Sequence, residues 1–313
     1  MTMTTTLDKR SAATGGRPDA KRRFKPNRSA TGYLFVAPFM IVFIALFLVP
    51  LVYAAYFSLF REQLVGGNAF VGLDNYARAF GDAALGEGIV RMALYFFIQV
   101  PFMLLVALFL ALVLDSGLIR LTRTVRLAAF VPYAVPGVIA TLMWGFLYGP
   151  DYGPLTQVAE GLGLTPPDFL SSDLMLGSLA NIVFWEFTGY NMVILYAALR
   201  AVPTELYEAA AMDGASPFRI AWNIKIPLLR PALMLTLIFS IIGSFQLFNE
   251  PNLLQGLAPD VINSSYTPNL YAFNLAFVGQ EYNYAAAVSF VLGAVILAGS
   301  YLFILLTNRR SRS

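Results

Sequence analysis

Six long apolar blocks alternate with short polar segments along the chain: Tyr33 to Phe60, about Gly88 to Leu114, Val125 to Tyr148, Leu174 to Leu199, Pro231 to Phe248 and Tyr284 to Thr307. As helix, at ~1.5 Å of rise per residue, each is long enough to cross the ~30 Å hydrocarbon core of a bilayer. The pattern predicts an all-α, polytopic membrane protein with six transmembrane helices. The first block is far longer than the apolar region of a cleaved signal peptide, so it is read as a membrane span. Pro38, Pro50, Pro101, Pro132 and Pro136 lie inside or at the ends of three blocks, where kinks are expected because neighbouring helices can satisfy the freed carbonyls.

The polar segments between the blocks are unequal in charge. Of the 21 Lys and Arg residues, 18 fall in one set: residues 1–28, the loop 115–124 with nearby Arg126, the loop 200–230, and the tail with Arg309, Arg310 and Arg312. The opposite loops, 61–87, 149–173 and 251–283, carry only Arg61 and Arg78. This asymmetry predicts that both termini and the loop 200–230 face the cytoplasm. Residues 1–28 are rich in Thr, Gly, Ala and basic residues without an apolar period, and are expected to be a disordered cytoplasmic tail. The membrane domain is then 29–308, with 309–313 a second short tail.

Composition supports the membrane reading and narrows the chemistry. Hydrophobic residues make up 58% of the chain and charged residues 12%, against about a quarter charged in soluble domains. The net charge of +3 is accounted for by loop placement, so no nucleic-acid partner is implied. With no Cys and no His, no disulfide, thiolate or imidazole metal site is expected, nor any Cys- or His-based catalysis. The lysines Lys9, Lys21, Lys25 and Lys225 follow Asp, Ala, Phe and Ile, so a phosphate-binding Gly-Lys pair is missing and any ATP hydrolysis must belong to another chain. A Ser-His intramembrane protease is excluded for want of His, and no catalytic residue, cofactor or metal is expected.

The stretch ELYEAAAMDGASPFRIAWNIKIP (205–227) interrupts the apolar blocks. Thr204 is placed to cap a short helix whose Glu205 and Glu208 suit its positive end, and Gly214 to stop it. Ser216 and Pro217 begin a second short helix that is expected to end at Ile226, before Pro227. The small Ala209, Ala210 and Ala211 leave room for another surface to approach. An amphipathic helix lying on the bilayer is the competing reading.

Glu208-Ala209-Ala210, three residues, Gly214, nine residues, Ile224-Lys225-Ile226-Pro227 resembles the EAA motif of ABC importer permeases, with Ile226 where the pattern has Leu. FVGLDNYARAF (70–80), VPYAVPGVIATLMWGFLY (131–148), LRAVPTELYEAAAMDGAS (199–216) and YNYAAAVSF (282–290) resemble the maltose and glycerol-3-phosphate branch, in its first-subunit type. The resemblance covers about residues 30–308 and implies a type I ABC importer permease fold in a bacterial inner membrane. It implies as partners a second homologous permease, an ABC ATPase dimer that binds ATP and Mg, and an external sugar-binding protein. It also makes Glu208, Ala209, Ala210, Asp213 and Gly214 the ATPase-coupling site.

Polar residues at membrane depth are costly and mark candidate substrate contacts, or else knit helices together. They are Trp185, Glu186, Tyr190 and Asn191 in the fourth block, and Ser240, Ser244, Gln246 and Asn249 in or beside the fifth. Aromatic faces with amide and hydroxyl groups suit a neutral sugar, and the resemblance raises Tyr190 and Ser240 in particular. Gly243 and Ser244 depart from the Phe-Asn of maltose permease, which argues against maltose itself. Glycerol-3-phosphate is the near alternative, although Arg91 is the lone base inside a span. An ion-coupled transporter using Glu186, or a non-transporting scaffold, are the remaining readings.

Overall fold

The computed structural model describes residues 28–63 and 66–309. The tails expected at 1–28 and 309–313 lie outside the described residues, save that Arg28 opens the first helix and Arg309 ends the last. The chain divides between Val52 and Tyr53 into two units. The first unit holds α1 (Arg28–Phe43), a π-helical turn (Ile44–Leu48) and the start of α2 (Val49–Phe57). Its rings stack one turn apart along Phe39, Phe43 and Phe47, with centroids 5.8 and 5.1 Å apart.

The second unit is all-α, as expected, apart from a small antiparallel hairpin near its start, β1 (Phe60–Gln63) and β2 (Gly67–Phe70), with Phe60 opposite Phe70. Helices follow throughout: α3 (Asp74–Phe80), α4 (Ala83–Asp115), α5 (Thr122–Ala134), α6 (Gly137–Leu147), α7 (Pro154–Gly161) and α8 (Met175–Arg200). Then come α9 (Glu205–Met212), α10 (Pro217–Ile220), α11 (Ile226–Leu228), α12 (Arg230–Phe245), α13 (Asn249–Leu254), α14 (Pro268–Phe277) and α15 (Tyr282–Arg309). Among the described residues five stretches are long and apolar enough to cross a membrane, Gly32–Phe57, Ala83–Asp115, Met175–Arg200, Arg230–Leu254 and Tyr282–Leu305. The third expected span, Val125 to Tyr148, is not one straight helix, because α5 and α6 meet at a 92° bend. Pro136 is the cause: it bars the helical conformation for the preceding residue, and Val135 takes ψ 130°. Pro136 then serves as the N-terminal flank of α6, its carbonyl accepting from the Ile139 and Ala140 amides at 2.8 and 3.0 Å.

Two prolines are accommodated by the same device. At Pro50 a π-turn precedes the ring, and the Val49 amide donates to the Ile44 carbonyl five residues back. At Pro227 a π-turn over Ala221–Lys225 does likewise, with the Ile226 amide donating to Ala221. The widened turn makes room for a ring that would otherwise meet the carbonyl four residues back. Pro227 therefore does not end the helix as expected, and α10 runs through the π-turn into α11 and on towards α12.

At the centre α4 runs along α8, α5 packs on α8, and α12 on α4. The contact between α5 and α8 is a backbone contact. A Cβ on Gly189 would lie 1.6 Å from the Ala129 carbonyl oxygen, so nothing larger than hydrogen fits there. One end of the bundle is closed by a core of Ala107, Ala111, Leu114, Met192, Leu195, Leu199 and Leu229. Towards the other end Tyr95, Tyr148, Met175, Leu179, Ile182 and Ile262 pack together.

That other end is also tied by polar bonds. Asn75, from the FVGLDNY segment, donates to the carbonyls of Ser58 and Phe60 at 2.8 and 2.7 Å, and Gly72 makes the preceding turn at φ +58°. Asp82 caps α4 and accepts from the hydroxyls of Tyr284 and Tyr271 at 2.6 and 2.7 Å. Burial works to raise the Asp82 carboxyl, but those two hydroxyls and the amides of Leu85 and Ala84 outweigh it and hold the group below the ordinary carboxylate range. Arg78 lies 3.7 Å over the Tyr284 ring and pairs with Glu281 at 2.9 Å.

Gly189→Ala is expected to force α5 and α8 apart and to cost about 1–3 kcal/mol, the usual range for overpacking. Thermal unfolding of the detergent-solubilised chain measures this, with Gly177→Ala as control, since a Cβ on Gly177 in the same helix meets nothing within 4 Å. Equal melting of the two variants would show that the contact is not tight.

Candidate functional site

A cavity of about 360 Å³ opens between α4, α5, α8 and α12. Each helix contributes one stripe. Tyr95, Gln99 and Met103 recur every fourth residue on α4, Val183, Phe187, Tyr190 and Asn191 follow the same face of α8, and Phe239, Ser240, Gly243 and Ser244 do so on α12. The bend between α5 and α6 leaves Tyr133 in the wall, its ring stacked on Tyr190 with centroids 4.6 Å apart. The remaining wall is the interruption between α12 and α13, which presents Gln246, Phe248, Asn249 and Glu250.

That interruption is chemically provided for. Thr267 donates to the Leu247 carbonyl at 2.9 Å and Asn269 to the Gln246 carbonyl at 3.2 Å, so the backbone freed at the break finds partners. Irregular backbone at membrane depth is tolerated where it lines a cavity in this way. The Ser240 and Ser244 hydroxyls donate back to Thr236 and Ser240 at 2.8 Å, which leaves their lone pairs as acceptors towards the cavity. Asn191 donates to the Phe187 carbonyl at 3.0 Å. The Tyr95 hydroxyl is fully buried, lies in the wall and has no hydrogen-bond partner among the described residues.

Six of the eight candidate pathway residues are thereby brought together: Tyr190, Asn191, Ser240, Ser244, Gln246 and Asn249. Trp185 and Glu186 are not among the lining residues. They fall outside the stripe set by Val183, Phe187, Tyr190 and Asn191, on the side of α8 that meets α6. Trp185 meets the Trp144 ring edge-on at 6.0 Å, and a Cβ on Gly137 would come 3.4 Å from the Glu186 carboxylate. Sequence reasoning missed Tyr95, Gln99, Tyr133 and Phe187. A usable signal existed in Tyr95, Gln99 and Met103, spaced at four and eight residues inside a span whose other residues, apart from Arg91, are apolar. Arg91 lies away from the cavity, held by the Tyr266 carbonyl at 2.7 Å and the Tyr266 ring at 4.5 Å.

The loop 200–230 forms a hook. Gly214 takes φ +82° immediately beyond α9, and the Ser216 hydroxyl accepts from the Arg219 amide at 3.4 Å to start α10. Thr204 makes no side-chain cap, unlike the expectation, because its own backbone is already helical at φ −66°, ψ −25°. Glu208, Ala209, Asp213 and Gly214 are exposed and Ala210 half-buried. Around them Leu206, Met212, Phe218 and Trp222 are also exposed, Met212 at 89%, so a large apolar area surrounds the motif. The base of the hook is fixed by Lys225, whose ammonium meets Asp115 at the end of α4 at 2.5 Å and lies 4.7 Å from the centre of the Tyr207 ring. Both partners of that pair are largely buried, and the Tyr207 phenol is raised by burial and by the Asp115 charge.

Residues 24–312 match the family described as binding-protein-dependent transport system inner membrane components. The chain belongs to this family. Arabinooligosaccharides transport system permease protein AraP of Bacillus subtilis (strain 168) is 30% identical over 285 residues, covering 90% of each chain. Lactose transport system permease protein LacF of Rhizobium radiobacter is 30% identical over 297 residues, 93% of this chain and 97% of its own. A chain in the crystal structure of a bacterial alginate ABC transporter, in complex with an alginate pentasaccharide-bound periplasmic protein, superposes with a TM-score of 0.78 at 19% identity. The superposition covers 90% of this chain and 95% of that one, and shows the shared fold.

As an inner-membrane component of an ABC importer, the chain is a multi-pass, non-catalytic permease subunit whose ATPase is a separate polypeptide. The Lys225–Asp115 pair joins its loop 200–230 to the end of α4. Asp115→Ala would strand a buried ammonium, at a cost on the order of 3 kcal/mol. A double-mutant cycle with Lys225→Met, read by thermal unfolding, should recover much of that loss in the double variant. An unchanged melting point for Asp115→Ala would show that the pair does not hold the hook.

Proposed function

We propose that this permease forms, with a second homologous permease, the translocation pathway for a neutral saccharide. A dimeric ABC ATPase drives it through the hook, and an external binding protein delivers the sugar. The observation that carries the substrate reading is the chemistry of the central cavity. Its lining combines the rings of Tyr95, Tyr133, Phe187, Tyr190, Phe239 and Phe248 with the amides of Gln99, Asn191, Gln246 and Asn249. A sugar offers apolar ring faces to such aromatics and hydroxyls to such amides. The cavity volume falls within the ~300–1,000 Å³ typical of small-molecule sites. The one ionisable carboxylate in the lining is Glu250, and no Arg or Lys lines it. That lining speaks against glycerol-3-phosphate, since a bound phosphate calls for cations, and the helix start in the wall, that of α13, already carries the carboxylate of Glu250.

The coupling reading rests on the hook. Of its motif residues Glu208, Ala209, Asp213 and Gly214 are exposed, together with the surrounding Leu206, Met212, Phe218 and Trp222, as a surface awaiting another protein would be. Asp115 and Lys225 fasten it to α4, so displacement of the hook is transmitted to a helix whose Tyr95, Gln99 and Met103 line the cavity. The pair also brings the basic loops 115–124 and 200–230 together, which supports their facing the same side. Closure of the ATPase would then shift the hook and open the pathway outward.

The test is uptake by the reconstituted importer, with neutral oligosaccharides and glycerol-3-phosphate offered side by side. Tyr190→Ala should weaken saccharide transport roughly 3- to 10-fold, the value of a lost aromatic contact. Gly214→Trp should abolish transport while leaving membrane insertion intact, and Glu208→Lys should lose the ATPase in a pull-down. Uptake of glycerol-3-phosphate in preference to every neutral sugar would overturn the substrate reading, and normal transport by Gly214→Trp the coupling reading.

A further inference from the structure

A second recess, sharing no lining residue with the central cavity, opens between α5 and α8 with a volume of about 660 Å³. It lies beyond the Gly189–Ala129 contact, towards the ends of the two helices that adjoin the hook. Its walls include Leu127, Phe130 and Val193, and its rim carries Arg123, Arg126 and Arg200. Leu127 is 63% exposed, and all three arginines are exposed. Among the described residues the ion pairs are Arg78–Glu281 and Lys225–Asp115, so none of the three rim arginines is paired with a carboxylate. Arg126 lies 5.7 Å over the Tyr196 ring, which orients the guanidinium without neutralising it. The first turn of α5 begins at the same rim, and Leu121 gives its free amides no side-chain cap.

Three uncompensated guanidinium groups above apolar walls, at the end of two membrane helices, define a ligand with an anionic head and a hydrocarbon tail. A soluble anion would satisfy the arginines but leave the apolar walls uncovered. An apolar helix would cover the walls but leave the charges without a counter-charge. We propose that this groove binds an anionic phospholipid of the inner leaflet. Arg123, Arg126 and Arg200 hold its phosphate, and an acyl chain lies along Leu127, Phe130 and Val193. Arg200 is the last residue of α8, and α9 of the hook begins at Glu205. The bound lipid thus ties α5 to α8 where the membrane bundle hands over to the hook, and the inference holds whichever substrate the permease carries.

Native mass spectrometry of the full chain, purified from its membranes and titrated with phosphatidylglycerol, cardiolipin or phosphatidylcholine, tests the site. The wild type is expected to retain the anionic lipids and not phosphatidylcholine. Replacing Arg123, Arg126 and Arg200 by Gln should weaken that binding on the order of fivefold per residue, roughly 100-fold together. Arg219→Gln, on α10 outside the groove, should change nothing. If the triple variant fails to give a monodisperse peak, Arg126→Gln alone and the triple Arg→Lys variant supply the comparison, the latter keeping most of the affinity. Equal retention of phosphatidylcholine, or unaltered anionic-lipid binding by the Gln variants, would overturn the proposal. So would complete displacement by excess inorganic phosphate, which assigns the site to a soluble anion, or a co-purified protein occupying the groove with no lipid bound.

Discussion

Every backbone amide and carbonyl placed in hydrocarbon must find a partner inside the protein, and that requirement shapes the rest of this molecule. Straight helices meet it automatically. The two places where a span is interrupted, Val135–Pro136 and 246–248, meet it by other means: the Pro136 carbonyl starts α6, while Thr267 and Asn269 take up the carbonyls of Leu247 and Gln246. Both interruptions contribute to the same cavity, through Tyr133 on one side and Gln246, Phe248 and Asn249 on the other. A helix continuing unbroken would turn its side chains by a fixed angle per residue and present a single stripe. Breaking it lets several consecutive residues face one space.

The two ends of the bundle are secured by different physics. At the end opposite the hook, Asp82, Tyr271, Tyr284, Arg78, Asn75 and Ser58 form a network of hydrogen bonds and stacked charge that ties α3, α4, α14 and α15 together. At the hook end one largely buried ion pair, Asp115 with Lys225, stands over an aliphatic core of Ala107, Ala111, Leu195, Leu199 and Leu229. One end is thus held by a polar network spread over many groups, the other by one buried link between the hook and α4. Between the ends, the Gly189–Ala129 contact brings α5 close enough to α8 for Tyr133 to stack on Tyr190.

Much of this was legible in the linear pattern. Apolar block lengths specify the spans, and basic residues group the loops that the Asp115–Lys225 pair brings to one end. Gly214, Ser216 and Pro217 mark the turn and restart of the hook, because left-handed backbone, hydroxyl capping and a missing amide are properties of single residues and their neighbours. The segment FVGLDNYARAF was recognisable as a motif, but its purpose was not: Asn75 satisfies carbonyls at 58 and 60, a pairing that needs the turn at Gly72 to exist first. Pro227 misled because a π-turn one residue earlier absorbs its ring, and such a register change depends on how the surrounding helix packs.

The sequence by itself determined which segments are apolar enough to enter the membrane, which way the charged loops divide and where a polar hook interrupts the apolar blocks, since these follow from local composition and chain geometry. Only the tertiary structure decided which face of each helix meets which neighbour. It placed Tyr95 and Gln99 in the cavity wall, turned Trp185 and Glu186 towards α6, bent the third span by 92°, and gathered Arg123, Arg126 and Arg200 around one groove. In a helix apolar on nearly every side, hydropathy carries no information about rotation about the axis, because lipid and protein interior are equally apolar. Orientation is then set by close packing at small residues such as Gly189 and by the few polar groups that must find partners, which are relations between distant parts of the chain.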